Sequence, residues 1–71
     1  MTEVRFHRDL YRGECVDEAM KALAAYAGFD RAEEPEHWVV RVSAATAERE
    51  RRVTGELANR ALGLTVQKGG A

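Results

Sequence analysis

Two different periodicities of apolar residues divide the first part of the chain. Apolar and polar residues alternate in EVRFHRDLY, residues 3–11, so this segment predicts a strand packed on one face. In ECVDEAMKALAAYAG, residues 14–28, apolar side chains recur at helical spacing, with acidic residues in the first turns and Gly28 as a left-handed C-terminal stop. The pattern therefore predicts a strand followed by a helix.

The middle of the chain predicts two more strands. Residues 29–34 (FDRAEE) are weakly strand-like, whereas residues 37–44 (HWVVRVSA) combine β-branched and aromatic side chains in the manner of a central strand. The segment Glu34-Pro35-Glu36 between them predicts a hairpin connection, because proline holds a turn position without losing a needed N–H.

A second helix is predicted over residues 46–62. Ser43 or Thr46 is its expected N-cap, and Gly63 is its expected stop. Residues 64–67 (LTVQ) have the composition of a short edge strand, so the sequence leaves open whether a fourth strand forms. Residues 68–71 predict a flexible tail.

This order of elements is βαββα(β). We therefore predict one α+β domain over residues 1–71, with an ordered core over residues 3–67. Its fold would be a two-layer ferredoxin-like (split βαβ) sandwich, in which two helices cover one face of an antiparallel sheet. A one-residue slip in register would instead expose Trp38 as a binding anchor. The predicted core residues occupy the inward positions of these elements: Val4, Phe6, Met20, Leu23, Trp38, Val40, Val42, Val53, Leu57 and Leu62.

Composition narrows the classes of function. With 45% hydrophobic and 32% charged residues the chain is typical of a globular protein, and its net charge of −1 makes nucleic-acid binding unlikely, since that binding needs a concentrated basic surface. The one basic cluster is Arg49, Arg51 and Arg52, and Glu48 reaches Arg51 and Arg52 at i+3 and i+4 on the predicted helix. No apolar run approaches the about 18 residues of a membrane span, and no signal peptide precedes the first strand. With one free cysteine, a cytoplasmic protein that does not enter membranes is expected.

Few residues suggest chemistry. Cys15 lies where a helix dipole would activate a thiol, but its acidic neighbours oppose this effect, and a lone cysteine is commonly a buried small hydrophobe. His7 and His37, with Glu36, are the only residues that suggest a metal site, and exposed sheet positions explain them equally well. No catalytic motif is present, so neither enzymatic activity nor a cofactor is expected.

A short chain gains stability from partners. A domain of 71 residues buries only about 60% of its unfolded surface, so we expect a homo-oligomer or a protein or peptide partner. A nucleic-acid interface through Arg5, His7 and Arg41 is an alternative, but no aromatic pair lies in mid-strand for base stacking. The candidate partner-binding residues lie on the outer sheet face, at its rim or on the outer side of the second helix: Arg5, His7, Tyr11, His37, Val39, Arg41, Asn59 and Arg60.

Four segments carry a family pattern: a strand ending in tyrosine (residues 4–11), an alanine-rich helix (14–26), a V-x-V strand (38–42) and ELANRAL (56–62). Together they resemble the HxsD-like family, small proteins of His-Xaa-Ser peptide-modification systems. The resemblance is a loose pattern over residues 4–63. It implies a non-catalytic accessory protein that works beside a radical-SAM maturase and its precursor peptide, without an iron–sulfur cluster of its own. A homodimeric regulatory domain of ferredoxin-like type is the alternative.

Overall fold

The computed structural model describes residues 1–70 and contains three strands and two helices. The strands form one sheet in the order β1-β3-β2, and both neighbouring pairs are antiparallel. The α+β class is therefore confirmed. The elements, in chain order, are β1 (Thr2–His7), α1 (Gly13–Ala22), β2 (Gly28–Glu33), β3 (His37–Ser43) and α2 (Ala47–Gln67).

The central strand β3 separates the two faces of the sheet. Val40 and Val42 are fully buried on one face, and Val4 and Phe29 lie opposite them in the neighbouring strands. Residues at the alternate positions of β3 point to the other face, because side chains alternate along a strand. The alternation predicted for residues 37–44 therefore sets which face is packed.

Both helices pack on the same face of the sheet. The sheet residues of the core all lie on that face, and burying each large one contributes about 1.5–3 kcal/mol. Within residues 1–70, neither helix covers the opposite face. The buried core consists of Phe6, Val40 and Val42 from the sheet and Val16, Ala19, Leu23, Val53, Leu57 and Ala61 from the helices.

Leu62 is the predicted core residue that lies outside the core of residues 1–70. Leu62 is 47% exposed, because the buried line of α2 runs through Leu57, Ala61 and Thr65 at helical spacing. Leu62 follows Ala61 by one residue, which rotates it about 100° away from that line. The other predicted core residues are buried or packed against the core: Val4, Phe6, Met20, Leu23, Trp38, Val40, Val42, Val53 and Leu57.

The end predicted for α1 is wrong. The helix ends at Ala22, and the following residues form a turn in which the Tyr26 N–H donates to the Leu23 carbonyl at 2.9 Å. Gly28 is the first residue of β2 and pairs with Ser43, so it is not a helix stop. Pairing with β3 therefore overrides the helix propensity of the alanine-rich segment.

The end predicted for α2 is also wrong, and residues 64–67 are not a strand. Gly63 lies within α2, whereas the left-handed residue that follows the helix is Gly69, with φ of 87°. The Gly69 N–H donates to Val66 O at 3.0 Å and the Gly70 N–H donates to Thr65 O at 2.8 Å. These two bonds form a Schellman motif, which ends a helix. The helix continues to this point because it buries Thr65, which is 1% exposed.

The residues after α2 are held by Arg12. Its Nε donates to Gly70 O at 2.6 Å, and its Nη2 donates to Lys68 O at 2.9 Å. Of the tail predicted to be flexible, residues 68–70 therefore have defined hydrogen bonds to the body of the domain. Ala71 lies outside the described residues.

Two local features agree with the sequence. Thr46 is the N-cap of α2, because its Oγ1 accepts the Arg49 N–H at 3.1 Å, and Ser43 belongs to β3. The segment at Pro35 connects β2 to β3 as the predicted hairpin. Within residues 1–70, no helix combines the length and the apolar character of a membrane span.

Adding a methyl group should have one effect at the helical glycines Gly55 and Gly63 and the opposite effect at Gly13. A Cβ at Gly55 or Gly63 would meet no atom within 4 Å, so Gly55→Ala and Gly63→Ala should each raise the free energy of unfolding by about 0.5–1 kcal/mol. A Cβ at Gly13 would lie 2.9 Å from Trp38 Cζ2, so Gly13→Ala should lower stability despite the same gain in helix propensity. Urea unfolding followed by circular dichroism measures all three, and a stabilising Gly13→Ala would contradict the close contact.

Candidate functional site: the open sheet face and the free strand edges

Most of the predicted partner-binding residues lie together on the open face of the sheet. Arg5 and His7 in β1 lie directly opposite Val39 and His37 in β3, and Arg41 lies further along β3. Their shared face follows from the period of two along each strand and from the register of the β1–β3 pair.

The arginines of this face are paired with carboxylates. Arg5 makes a bidentate contact with Glu34, in which Nη2 donates to Oε2 at 3.1 Å, and its Nε lies 3.4 Å from Glu3. The hydrogen bond and charge of Glu34 raise the pKa of the Arg5 guanidinium above its usual value. The Nε of Arg41 lies 3.5 Å from Glu3. The face therefore has no excess of positive charge for phosphates, which weakens the case for a nucleic-acid interface.

Val39 offers little surface to a partner. It is 3% exposed, although it lies at the centre of the face that no helix covers within residues 1–70. Arg5 and Ala32 flank it in the neighbouring strands, and an arginine stem covers apolar surface while its charged end stays in water. A partner would meet the arginine and glutamate side chains before it met Val39.

The two histidines contact each other. Their ring centroids are 4.9 Å apart with an interplanar angle of 76°, an edge-to-face arrangement. The Asp9 N–H donates to Nδ1 of His7 at 3.1 Å, which assigns the ring proton of neutral His7 to Nε2. Within residues 1–70, no three His, Cys, Asp or Glu side chains are grouped as metal ligands, so Glu36 does not complete a site with the two histidines.

Three predicted residues lie away from the open face. Tyr11 packs on the core side, edge-to-face with Phe6 at 4.9 Å between ring centroids. Asn59 and Arg60 are exposed on α2, which covers the packed face of the sheet. The structure therefore does not combine these three residues with Arg5 and His7 into one surface.

Cys15 is fully buried in the first turn of α1. Its backbone N–H donates to Arg12 O at 3.0 Å, and its side chain has no exposed surface. Reactive thiols lie in accessible positions, so this burial agrees with the interpretation of Cys15 as a packing residue.

Trp38 faces the core side and is held by contacts that the sequence does not reveal. Its Nε1 donates to Tyr11 O at 3.2 Å, and the guanidinium carbons of Arg8 and Arg31 lie 3.9 and 4.9 Å from its ring. Arg31 Nε also lies 3.1 Å from Asp17 Oδ1, an ion pair without hydrogen-bond geometry. Arg8, Arg31 and Trp38 come from three different parts of the chain, and only the pairing of the strands brings them together. Because Trp38 is engaged within the domain, it is not a free binding anchor.

The β1 edge of the sheet carries unpaired backbone groups. The Arg8 N–H donates to Glu36 O at 2.9 Å, which continues the β1–β3 ladder by one position. In an antiparallel pair, alternate residues direct both backbone groups to the same neighbour. Both backbone groups of Glu3 and Arg5 and the N–H of His7 therefore point away from the sheet without a partner, whereas the His7 C=O accepts the N–H groups of Leu10 and Tyr11 at 3.0 Å.

The β2 edge carries a second set of unpaired backbone groups. The Glu34 N–H donates to His37 O at 2.9 Å, so by the same alternation Phe29, Arg31 and Glu33 direct their N–H and C=O groups outward. A groove of about 420 Å³ lies at the start of this edge, between Phe29 of β2 and α1 with the turn that follows α1. It is lined by Asp17, Met20, Lys21, Ala24, Ala27 and Phe29.

A larger groove of about 530 Å³ lies between the end of α1 and α2, with Leu23, Tyr26 and Val53 in its lining. Charged side chains of α2, including Arg49 and Arg52, form its rim. Its walls are the turn after α1 and the helix α2, so no strand edge supplies it with a row of free backbone donors and acceptors. The β2 groove is the better site for an extended chain, because an edge strand supplies these groups.

The first residue of β1 is fixed to α2 by a partly buried carboxylate. Thr2 Oγ1 donates to Glu50 Oε2 at 2.5 Å, and the amino group of Met1 lies 3.2 Å from the same oxygen. The side chain of Glu50 is 15% exposed. The hydrogen bond from Thr2, together with the amino group, lowers the pKa of Glu50 below its ordinary value of 4.5.

This lowered pKa predicts a contribution to acid stability. A carboxylate with a lower pKa in the folded state stabilises the fold above its unfolded pKa, and the contribution is lost as pH falls through the folded value. Glu50→Gln should therefore lower stability at neutral pH and flatten the decline below pH 4.5. Urea unfolding over a pH series measures this. Glu48→Gln is the control, because Glu48 is 80% exposed, and equal pH profiles for the two variants would contradict the role of Glu50.

Comparisons of the chain with models of protein families, with curated proteins and with solved structures find no match.

Proposed function

We propose that the protein is a small non-catalytic accessory protein that binds an extended segment of a partner protein or peptide at the edge of β2. The observation that carries this proposal is the row of free backbone groups of Phe29, Arg31 and Glu33, which begins at Phe29 in the lining of the groove beside α1. An extended peptide binds such an edge by adding a strand, and its alternate side chains enter the adjacent groove.

The lining of the groove indicates the chemistry of the bound segment. Met20, Ala27 and Phe29 form an apolar floor, and Asp17 and Lys21 bring one charge of each sign to the groove. An apolar side chain of the peptide would occupy this floor while its backbone pairs with β2. Methionine adapts to side chains of different shape, which suits a site whose affinity comes mainly from backbone hydrogen bonds.

The proposed fold is the ferredoxin-like split βαβ arrangement without its last strand. Two observations support this assignment: the strand order is β1-β3-β2, and a helix follows β1 and another follows β3. The resemblance of residues 4–63 to the HxsD-like family makes a precursor peptide, presented to a radical-SAM maturase, the proposed ligand class. The buried free thiol of Cys15 fits a protein that acts in the cytoplasm.

A peptide selection tests this proposal. Random dodecapeptides displayed on phage are selected on the immobilised protein, and the enriched peptide is titrated against ¹⁵N-labelled protein. We expect the largest shifts at the amides of Phe29, Arg31 and Glu33, because these donors gain acceptors. Enrichment of no peptide, or shifts confined to other elements, would contradict the proposal. A synthetic peptide of His-Xaa-Ser repeats is titrated in parallel, and if only this peptide fails, the ligand class is wrong and the site is retained.

A matched pair of variants separates the backbone of β2 from its side chains. Glu33→Pro removes an outward N–H and leaves the β2–β3 ladder intact, so it should weaken binding of the selected peptide about tenfold. Glu33→Ala keeps the N–H and should bind within about twofold of the original protein, because Glu33 is exposed. Isothermal titration calorimetry gives both affinities, and equal binding by the proline variant would rule out strand addition at β2.

A further inference from the structure

The second free edge, β1, lies beside an exposed apolar flank of α2. Glu50 joins α2 to Thr2, so α2 runs next to β1. Val53 lines the groove that α2 forms with Leu23 at the end of α1. Leu62 lies nine residues after Val53, on the opposite side of α2, and is 47% exposed.

The backbone of β1 restricts how a second strand can pair with it. The free groups are the N–H and C=O of Glu3 and Arg5 and the N–H of His7, so in an antiparallel pair these residues must lie opposite residues whose backbone groups also point outward. When β1 pairs with β1 of a second copy, the allowed registers are therefore those that place Glu3, Arg5 or His7 of one chain opposite Glu3, Arg5 or His7 of the other.

Charge selects one of these registers. When Val4 lies opposite Val4 of the second copy, Glu3 lies opposite Arg5, and the two-fold axis generates this pair twice. A shift by one allowed step in either direction places Glu3 opposite Glu3 or Arg5 opposite Arg5. Opposite charges across neighbouring strands are favourable, and like charges directly opposite are destabilising.

We propose that β1 is a homodimer interface, in which it pairs antiparallel with β1 of a second copy with Val4 on the two-fold axis and Glu3 opposite Arg5. The two sheets join into one continuous antiparallel sheet. The axis is perpendicular to this sheet, so both α2 helices lie on the same side of it, next to each other. Because Glu50 contacts Thr2, the N-terminal halves of the two α2 helices lie nearest the axis.

The corresponding pairing of β2 with itself is unfavourable. The outward residues of β2 are Phe29, Arg31 and Glu33, and registers that match them place Asp30 opposite Asp30, Arg31 opposite Arg31, or Asp30 opposite Glu34. The last of these also places Arg31 opposite Glu33, which is favourable, but it puts Pro35, which has no N–H, opposite Phe29. The two edges are therefore suited to different occupants, and dimerisation at β1 is independent of peptide binding at β2.

Charge reversal tests the register. Glu3→Arg and Arg5→Glu each convert the two attractive cross-strand pairs into repulsive ones, so each variant alone should raise the dimer dissociation constant about thirtyfold. An equimolar mixture of the two variants restores both pairs and should form a heterodimer with nearly the original affinity. Sedimentation velocity over a concentration series from low micromolar to millimolar measures these constants. Arg41→Ala is the control, because it removes a contact to Glu3 within one chain and should leave the dimer intact.

A disulfide trap tests the position of the axis without relying on charge. In the proposed register the two Val4 residues form a non-hydrogen-bonded pair, with Cα atoms about 4.5 Å apart, within the range that a disulfide spans. Val4→Cys should therefore give a covalent dimer on mild oxidation. Thr2→Cys lies opposite Phe6 of the second copy and should not.

The outcomes decide the proposal in either direction. A dimer that Glu3→Arg and Arg5→Glu weaken, that their mixture restores and that Val4→Cys traps would establish the interface. A monomer at millimolar concentration, or a dimer that both reversals leave unchanged, would overturn it. A dimer trapped by Thr2→Cys in place of Val4→Cys would show a different register and overturn it as well.

Discussion

Thr65 determines how this small domain is closed. It is 1% exposed, and its hydroxyl accepts the backbone N–H of Arg12 at 3.3 Å, so the last turns of α2 are tied to the start of α1. Arg12 then holds the carbonyls of Lys68 and Gly70 beyond the helix. Because residues 64–67 remain helical, they cannot form a fourth strand, and β1 stays at the edge of the sheet. The free backbone groups of β1 are therefore a consequence of the contacts that Thr65 makes in the core.

Much of the fold could be predicted from local pattern. The alternation in residues 37–44 identifies the central strand and assigns Val40 and Val42 to the packed face, while Pro35 marks the hairpin. The ends of both helices could not be predicted in this way. Gly28 and Gly63 both resemble helix stops, but the β2–β3 pairing requires Gly28 as a strand residue, and burial of Thr65 carries α2 past Gly63. In both cases a contact distant in sequence outweighs a local preference.

The candidate site shows the same limit. The sequence correctly places Arg5, His7, His37, Val39 and Arg41 on one face, because that inference needs only the period of the strands. It does not reveal that Glu3 and Glu34 balance the arginines, since those contacts depend on the register between strands. Which backbone groups are free at each edge also depends on the register between strands, which the sequence does not reveal. The open face is consequently charge-balanced, and the backbone at the two edges becomes the more specific feature for binding.

Amide hydrogen exchange in dilute protein tests most directly whether β1 is a free edge. Under conditions where the protein is monomeric, the amides of Val4 and Phe6 should exchange slowly because they donate to β3, whereas those of Glu3 and Arg5 should exchange near the rate of an unstructured chain. The amide of Thr65 should be protected within α2. Slow exchange at Glu3 and Arg5 that persists on further dilution would mean that another strand of the same chain covers β1, and would contradict the account.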